Sequence, residues 1–249
     1  MNRSTVLLTL LAGLLGALPL PGQPGLPALE ISHLTGNFYV FTTYGSYKGQ
    51  RISSNGLYVV TPGGAVMIDT PWDTTQFAPL LDSIRVRHGK EVVLCLATHS
   101  HADRTAGFEF LREQGAKTFS SEQTYQLSRA GGYKLAEFRF RKDTTFTVGG
   151  RSFTAFYPGE GHTRDNIVVW FPEARLLYGG CLVKSTEATD LGNVTEANLA
   201  AWPATMRNLS RRFPRPRYVI PGHQSWASTR SLRHTVELLA RHGKAAGAK

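Results

Sequence analysis

The stretch Val92-Val93-Leu94-Cys95-Leu96-Ala97-Thr98-His99-Ser100-His101-Ala102-Asp103 contains the pattern that decides the fold. Residues 92–97 form a continuous apolar run with the length of a buried strand, in which a free cysteine acts as a small hydrophobic side chain. The residues that follow alternate, and in extended backbone His99, His101 and Asp103 therefore point to the same side. Packing does not explain two histidines and an aspartate in phase directly after a buried strand. The pattern predicts a metal site at the end of this strand.

Three further residues of metal-binding type occur at similar positions elsewhere in the chain. His162, Cys181 and His223 each follow a glycine near the end of a predicted strand, which favours backbone brought close to a common cleft. Taken alone, each of the three fits a structural role as well as a functional one. Together with the first segment they supply imidazole, carboxylate and thiolate groups, a donor set that suits zinc.

Strand and helix patterns occur in the same order in both halves of the chain. Period-two and continuous apolar runs predict strands at residues 37–44, 56–60, 65–68, 92–97, 117–119, 152–157, 166–171, 175–178 and 217–220. Helical spacing predicts helices between and after these strands, and Ser120 is the predicted N-cap of one of them. In each half of the chain, strand patterns come first and a helix pattern follows on the outside. This order predicts an α/β fold: an αβ/βα sandwich of two packed mixed β-sheets with helices on both outer faces.

The first 28 residues differ in composition from the rest of the chain. Arg3 precedes an apolar run at residues 6–18 that is too short to span a bilayer, and a Pro/Gly-rich stretch at 19–27 ends it. We predict a signal peptide at 1–28 and export to the periplasm, without stable membrane insertion once the signal is removed. The cleavage site stays open, and a membrane anchor is the alternative. Residues 29–249 have the length of a single catalytic domain.

The cysteines and the net charge limit which partners we expect. Cys95 and Cys181 offer one disulfide in an exported protein, but the buried strand around Cys95 and the metal-site candidacy of Cys181 favour two free cysteines. The formal net charge of +10 raises the possibility of a nucleic-acid partner. The basic residues are scattered over predicted outer helix faces, however, and no basic platform interleaved with aromatic residues is present. We therefore expect a solvated cationic surface, no nucleic-acid partner and a monomer.

The motif His-Ser-His-Ala-Asp-Arg at 99–104 resembles the metal motif of the metallo-β-lactamase fold. Most hydrolases of that superfamily place a second metal-binding histidine directly after the aspartate, where this chain has Arg104. A cysteine elsewhere must then supply the missing ligand, which resembles the class B β-lactamase subclass with Asp, Cys and His at one of its two zinc ions. The resemblance runs from about Asn37 to Leu239 and includes residues 161–166, 179–185, 190–193 and 221–223.

The resemblance implies two zinc ions per chain and a β-lactamase activity. The implied ligands of the first zinc are His99, His101 and His162, and those of the second are Asp103, Cys181 and His223. A metal-bound hydroxide would then open the β-lactam amide bond of antibiotics, with Asp103 as the catalytic residue that orients it, and so confer β-lactam resistance.

Four more residues receive roles: Lys184 and Asn193 from the same resemblance, and Arg104 and Asp69 from their positions in the chain. Lys184 would bind the carboxylate of the substrate, and Asn193 would lie near the lactam carbonyl. Arg104 would hold the Cys181 thiolate or the floor of the cleft, and Asp69, at the end of an apolar strand, would orient the ligand loops through hydrogen bonds. The alternatives are an ordinary surface lysine, a turn residue at Asn193 and a surface residue at the start of a helix at Arg104.

Two other functions compete with this interpretation. A lactonase or thioesterase of the same fold would use the same kind of two-metal centre, but Arg104 and Cys181 argue against it. A metal-dependent binding or regulatory module would keep the ligands and would not need an anion-binding residue such as Lys184. The predicted substrates are small-molecule β-lactams.

Overall fold

The computed structural model describes residues 29–141 and 143–247, and the predicted signal peptide at 1–28 lies outside the described residues. The strands are β1 Glu30–Thr35, β2 Phe38–Tyr47, β3 Gln50–Thr61, β4 Gly64–Ile68, β5 Val92–Leu96, β6 Lys117–Ser121, β7 Phe138–Phe140, β8 Thr144–Val148, β9 Arg151–Phe156, β10 Val168–Phe171, β11 Leu176–Gly180 and β12 Tyr218–Pro221. The helices are α1 Phe77–His88, α2 Ala102–Thr105, α3 Phe108–Glu113, α4 Glu122–Gly131, α5 Trp202–Arg212 and α6 Ser231–Gly247. In this part of the chain no helix combines the length and apolarity that crossing a membrane requires.

The strands form two mixed sheets. The first sheet has seven strands in the order β1-β2-β3-β4-β5-β6-β7. Its neighbours are antiparallel from β1 to β4 and parallel from β4 to β7. The second sheet has five strands in the order β12-β11-β10-β9-β8, in which β11 and β12 are parallel and the other neighbours antiparallel.

Three apolar layers hold the sheets and helices together. The central layer joins inward-facing side chains of both sheets, among them Phe38, Leu57, Ile68, Phe153, Val169 and Tyr178. A second layer packs α1 and α3 on the first sheet, with Tyr58, Met67, Leu80, Ile84, Phe108 and Leu111. A third packs α5 and α6 on the second sheet, with Val168, Leu177, Trp202, Met206, Leu209 and Leu238. The predicted αβ/βα sandwich with helices on both outer faces is confirmed.

Two local predictions differ from the structure. Ser121, and not Ser120, is the N-cap of α4, because β6 stays extended through Ser121 and its hydroxyl then accepts the backbone N–H of Thr124 at 2.9 Å. The strands β1, β7 and β8 did not stand out in the sequence, because most of their side chains are exposed or half-buried and they lack a buried apolar run. They occupy the edges of the two sheets, where one neighbour supplies their hydrogen bonds.

The ends of several strands meet at one edge of the sandwich. The chain leaves β5, β11 and β12 just before residues 99–103, 181 and 223, respectively. The backbone N–H of Gly222 donates to the carbonyl of Gly180 at 2.8 Å, and that of Asn55 donates to the carbonyl of Gly222 at 2.8 Å. The N–H of Ile167 donates to the carbonyl of Thr98 at 2.9 Å. These bonds tie both sheets together at the edge where the predicted ligands lie.

Candidate metal centre

The three histidines predicted for one metal lie against one another. The ring centroids of His99 and His101 are 4.8 Å apart, those of His99 and His162 are 5.0 Å apart, and those of His101 and His162 are 5.4 Å apart. The ring nitrogens His99 Nε2 and His101 Nδ1 are 3.1 Å apart. The turn after β5 and the loop between β9 and β10 thus bring together histidines that lie far apart in the sequence.

The chemical state of these rings suits a metal ion. Burial, together with His101, lowers the pKa of His99 well below its usual range, and burial, together with Lys184, does the same to the pKa of His162. Both rings are therefore neutral at pH 7, which is the form of imidazole that ligates a metal. Among the described residues the buried Nδ1 of His162 has no hydrogen-bond partner, which is uncommon for a polar atom in a protein interior.

The predicted second group is equally compact. The Sγ atom of Cys181 lies 3.1 Å from His223 Nε2 and 3.7 Å from Asp103 Oδ2, and the distance from His223 Nε2 to Asp103 Oδ2 is 3.3 Å. The other ring nitrogen of His223, Nδ1, contacts the carbonyl of Ser53 at 2.6 Å, which fixes the ring with Nε2 towards the thiol. One sulfur, one oxygen and one imidazole nitrogen are donors that fit zinc.

The two groups share an edge. Ligand atoms of Asp103, Cys181 and His223 all lie within 4.8 Å of one another, and the same holds for His99, His162 and Cys181. Cys181 therefore borders both groups. It carries no disulfide, and Cys95 is also a free, buried thiol, as the sequence predicts.

Charge in the second group is compensated from within the protein. Burial alone would raise the pKa of Asp103, but Arg104 and His223 lower it well below its usual range. Burial alone would lower the pKa of His223, but Cys181 and Asp103 raise it to about 9. A metal that binds here must displace a proton from this imidazole, as is usual when metal binding is coupled to protonation.

The guanidinium of Arg104 lies beneath the second group and is fully buried. Its Nη2 donates to Asp103 Oδ2 at 2.7 Å, to Cys181 Sγ at 3.0 Å and to the carbonyl of Gly222 at 3.0 Å. A Cβ atom at Gly222 would lie 2.7 Å from Cys181 Sγ and 2.9 Å from Arg104 Nη2. A glycine is therefore required before His223 for Arg104 to reach this position.

Asp69 connects Arg104 to the loop that carries the first histidines. It accepts the backbone N–H of Thr98 at 2.7 Å, the Thr98 hydroxyl at 2.8 Å and the Tyr178 hydroxyl at 2.8 Å, and Arg104 Nη1 lies 3.3 Å away. Burial raises the pKa of Asp69 to about 6, against the lowering by Arg104 and by the hydrogen bonds from Thr98 and Tyr178. The bonds to Thr98 hold the backbone directly before His99.

The structure places Lys184 near the metal centre and not on the open surface. Its side chain is largely buried, its Nζ lies 5.3 Å from the centroid of the Trp202 ring, and burial lowers its pKa. Among the described residues its ammonium has no carboxylate within ion-pair distance. A Cβ atom at Gly192 would lie 3.9 Å from Nζ, which places the loop with Asn193 beside it. The Oδ1 atom of Asn193 accepts the N–H of Thr195 at 3.2 Å, a turn role that leaves its amide group available.

Sequence reasoning missed one residue of the centre. Glu196 places its Oε2 2.9 Å from Nε2 of His101. The two residues are 95 positions apart, so no local spacing predicts their contact. The available signal was weak: Glu196 follows Asn193 by three residues in the same loop.

Comparisons with known proteins agree with this geometry. A family model of the metallo-β-lactamase superfamily matches residues 49–223. A type 2 metallo-β-lactamase of Elizabethkingia meningoseptica is 39% identical over 216 residues, covering 87% of each chain. The solved structure of a metallo-β-lactamase from Pontibacter korlensis is 37% identical and gives a TM-score of 0.82, covering 86% of this chain and 99% of its own. The FIM-1 metallo-β-lactamase of Pseudomonas aeruginosa, solved in a mono-zinc form, is 29% identical with a TM-score of 0.79, covering 86% and 96%. The chain therefore belongs to the metallo-β-lactamase family.

Proposed function

We propose that this protein hydrolyses the amide bond of β-lactam antibiotics with the help of zinc, and so confers β-lactam resistance. The observation that carries the proposal is the pair of adjoining donor groups that share Cys181, with Arg104 in the position where other hydrolases of the fold place a metal-binding histidine. That combination argues against a lactonase or thioesterase of the same fold. Family membership supports the same activity.

We propose two zinc ions per chain, one for each donor set. The proposed ligands are His99, His101 and His162, whose rings contact one another, for the first ion, and Asp103, Cys181 and His223 for the second. Zinc bound in such a centre acts as a Lewis acid and lowers the pKa of a coordinated water to about 7.

Side chains of the cleft then orient the reactants. Arg104, Cys181 and His223 all contact Oδ2 of Asp103, which leaves Oδ1 to accept a hydrogen bond from the attacking water and to orient it. The ammonium of Lys184, buried and without a carboxylate partner among the described residues, would bind the carboxylate of the antibiotic. The amide of Asn193 would donate to the lactam carbonyl oxygen.

The cellular setting follows from the sequence pattern. We propose that residues 1–28 are a signal peptide, that residues 29–249 form a single catalytic domain, and that this domain works as a monomer in the periplasm. The scattered arginines, without an aromatic platform, favour no nucleic-acid partner.

The proposal is tested with the purified protein and a chromogenic cephalosporin. Hydrolysis should disappear after dialysis against a strong chelator and return with added zinc, because the ligand set supplies the only activation that we assign to the attacking water. Parallel assays with a lactone and with a thioester should show far lower turnover. Full activity of the metal-free protein, or preferred cleavage of the lactone or thioester, would overturn the proposal.

A further inference from the structure

A groove of about 590 Å³ lies at the end of the second sheet that is remote from the metal centre. Its lining includes Trp170, Arg175, Arg212, Phe213 and Arg215. Arg175 directly precedes β11 and Arg215 lies shortly before β12, whereas Cys181 and His223 follow the other ends of these two strands. Because β11 and β12 are parallel, this arginine groove and the metal centre lie at opposite ends of the sheet.

The wall of the arginine groove is aromatic. The rings of Trp170 and Phe213 stack with centroids 4.9 Å apart. The guanidinium of Arg212 lies 5.4 Å from the centroid of Phe213 and 5.8 Å from that of Phe156. Arginine side chains lie along apolar surface in this way while their charge faces solvent. The groove therefore combines an apolar wall with exposed positive charge.

This charge lacks a carboxylate counterpart. Among the described residues, neither Arg175 nor Arg212 nor Arg215 has a carboxylate within ion-pair distance. The acidic residue nearest to Arg175 in the sequence is Glu173, which pairs with Arg151. Instead, Nη2 of Arg175 donates to the backbone carbonyl of Arg215, so that two strand starts bring their guanidinium groups to one groove.

The surrounding sequence does not neutralise the groove either. Residues 197–236 contain no aspartate or glutamate and seven arginines, at 207, 211, 212, 215, 217, 230 and 233. Arg212 lies in the last turn of α5, where a cation stabilises the helix dipole. That explanation does not extend to Arg175 and Arg215, which lie outside the helices. The groove is thus a place where the fold gathers positive charge that an external anion can neutralise.

We propose that the arginine groove docks the protein on the surface of a bilayer that contains anionic phospholipids. The guanidinium groups would bind headgroup phosphates, and the aromatic wall would face the boundary between headgroups and acyl chains. The contact is peripheral, with no segment crossing the bilayer. Because the groove lies opposite the metal centre, the docked protein would keep its cleft open to the solution. The inference goes beyond the proposed function and takes from it only export, which places the domain beside membranes.

A nucleic acid is the competing anion and fits the groove less well. Proteins that bind single strands present aromatic faces on which successive bases stack. Here Trp170 and Phe213 stack on each other, so each ring covers a face of its neighbour. A phospholipid headgroup needs only the charge and the apolar wall.

The test is sedimentation of the purified protein with vesicles. Vesicles of equal parts phosphatidylglycerol and phosphatidylcholine should bind the wild type, and pure phosphatidylcholine should bind it much less. The triple variant Arg175→Gln, Arg212→Gln and Arg215→Gln should lose about a hundredfold in partition coefficient, because each basic residue near an anionic surface contributes about fivefold. Binding by the wild type should fall as salt rises. The three single variants, at about fivefold each, decide the question if the triple variant does not fold.

The matched control removes three charges at the cleft side. Lys48→Gln, Arg164→Gln and Arg230→Gln change the net charge by the same amount, and these residues are also exposed and without an ion pair among the described residues. This variant should keep most of the vesicle binding. Equal losses in both triple variants would overturn the inference, since net charge and not the groove would then bind the lipid. Equal binding to both kinds of vesicle would also overturn it, as would tight binding of a labelled single-stranded oligonucleotide by a protein that ignores vesicles.

Discussion

The two halves of the metal centre adjoin each other but are held in place by different forces. The three histidines are held by ring contacts with one another and by the contact of His101 with Glu196. In the other half, Arg104 touches Asp103, Cys181 and also His223, at 3.3 Å from its Nε2. A buried carboxylate needs a compensating charge, and Arg104 supplies one to Asp103 at 2.7 Å. A metal in that half must coexist with a fixed guanidinium, so we expect the second zinc to bind more weakly than the first.

The largest expected effect comes from removing the Cys181 thiol, which we propose as a ligand of the second zinc ion only. Cys181→Ser should reduce the bound zinc from two ions to one per chain, because a hydroxyl is a much poorer zinc ligand than a thiolate. Metal analysis of protein passed through a desalting column measures the ratio. Cys95→Ala is the control, since that thiol lies in the apolar layer under α1 and α3 and should leave both ions bound. Two tightly bound zinc ions in Cys181→Ser would remove this residue from the ligand set.

A second change tests whether Arg104 compensates the charge of the buried carboxylates. Arg104→Met keeps the volume and removes the charge, which leaves Asp69 and Asp103 buried without their cation. We expect a loss of about 3–5 kcal/mol in the free energy of unfolding, measured by urea denaturation of the metal-free protein. Arg233→Met is the comparison, because Arg233 pairs with Glu237 on the surface, and it should lose less than about 1 kcal/mol. Similar losses in both variants would show that Arg104 is no more important to the fold than a surface arginine.

The contrast between the halves also explains how much the sequence could predict. The ligand residues were visible because each follows a strand end or a glycine, and strand ends of a sandwich gather at one edge. The layered α/β architecture was visible because the core strands are short runs of mostly apolar, buried residues between turn signals. The contact of Arg104 with Cys181 spans 77 positions and that of Glu196 with His101 spans 95. Such contacts depend on loop paths, which periodicity does not encode. The first contact was one of two roles expected for Arg104, and the second was not predicted.

The smallest expected effect comes from substituting Lys184, and this substitution tests the side of the centre that faces the substrate. Its ammonium is buried against Trp202 without a carboxylate partner among the described residues, so it is free to pair with an incoming carboxylate. A charge-assisted hydrogen bond of this kind contributes roughly 1.5–3 kcal/mol, which corresponds to about ten- to a hundredfold in kcat/KM. Lys184→Met, which keeps the apolar contact with Trp202, should therefore raise KM for carboxylate-bearing β-lactams and change kcat much less.

Salt and zinc measurements distinguish this role from a structural one. The advantage of the wild type over Lys184→Met should shrink as ionic strength rises, because salt screens the part of the attraction that acts through solvent. The zinc content should stay the same, since Lys184 is not a proposed ligand. Lys134→Met serves as the control, because Lys134 is about half exposed and pairs with Glu109 at 2.6 Å. If both lysine variants keep the wild-type kcat/KM across several β-lactams, the substrate carboxylate binds elsewhere, and the buried ammonium of Lys184 acts only on the charge balance around His162.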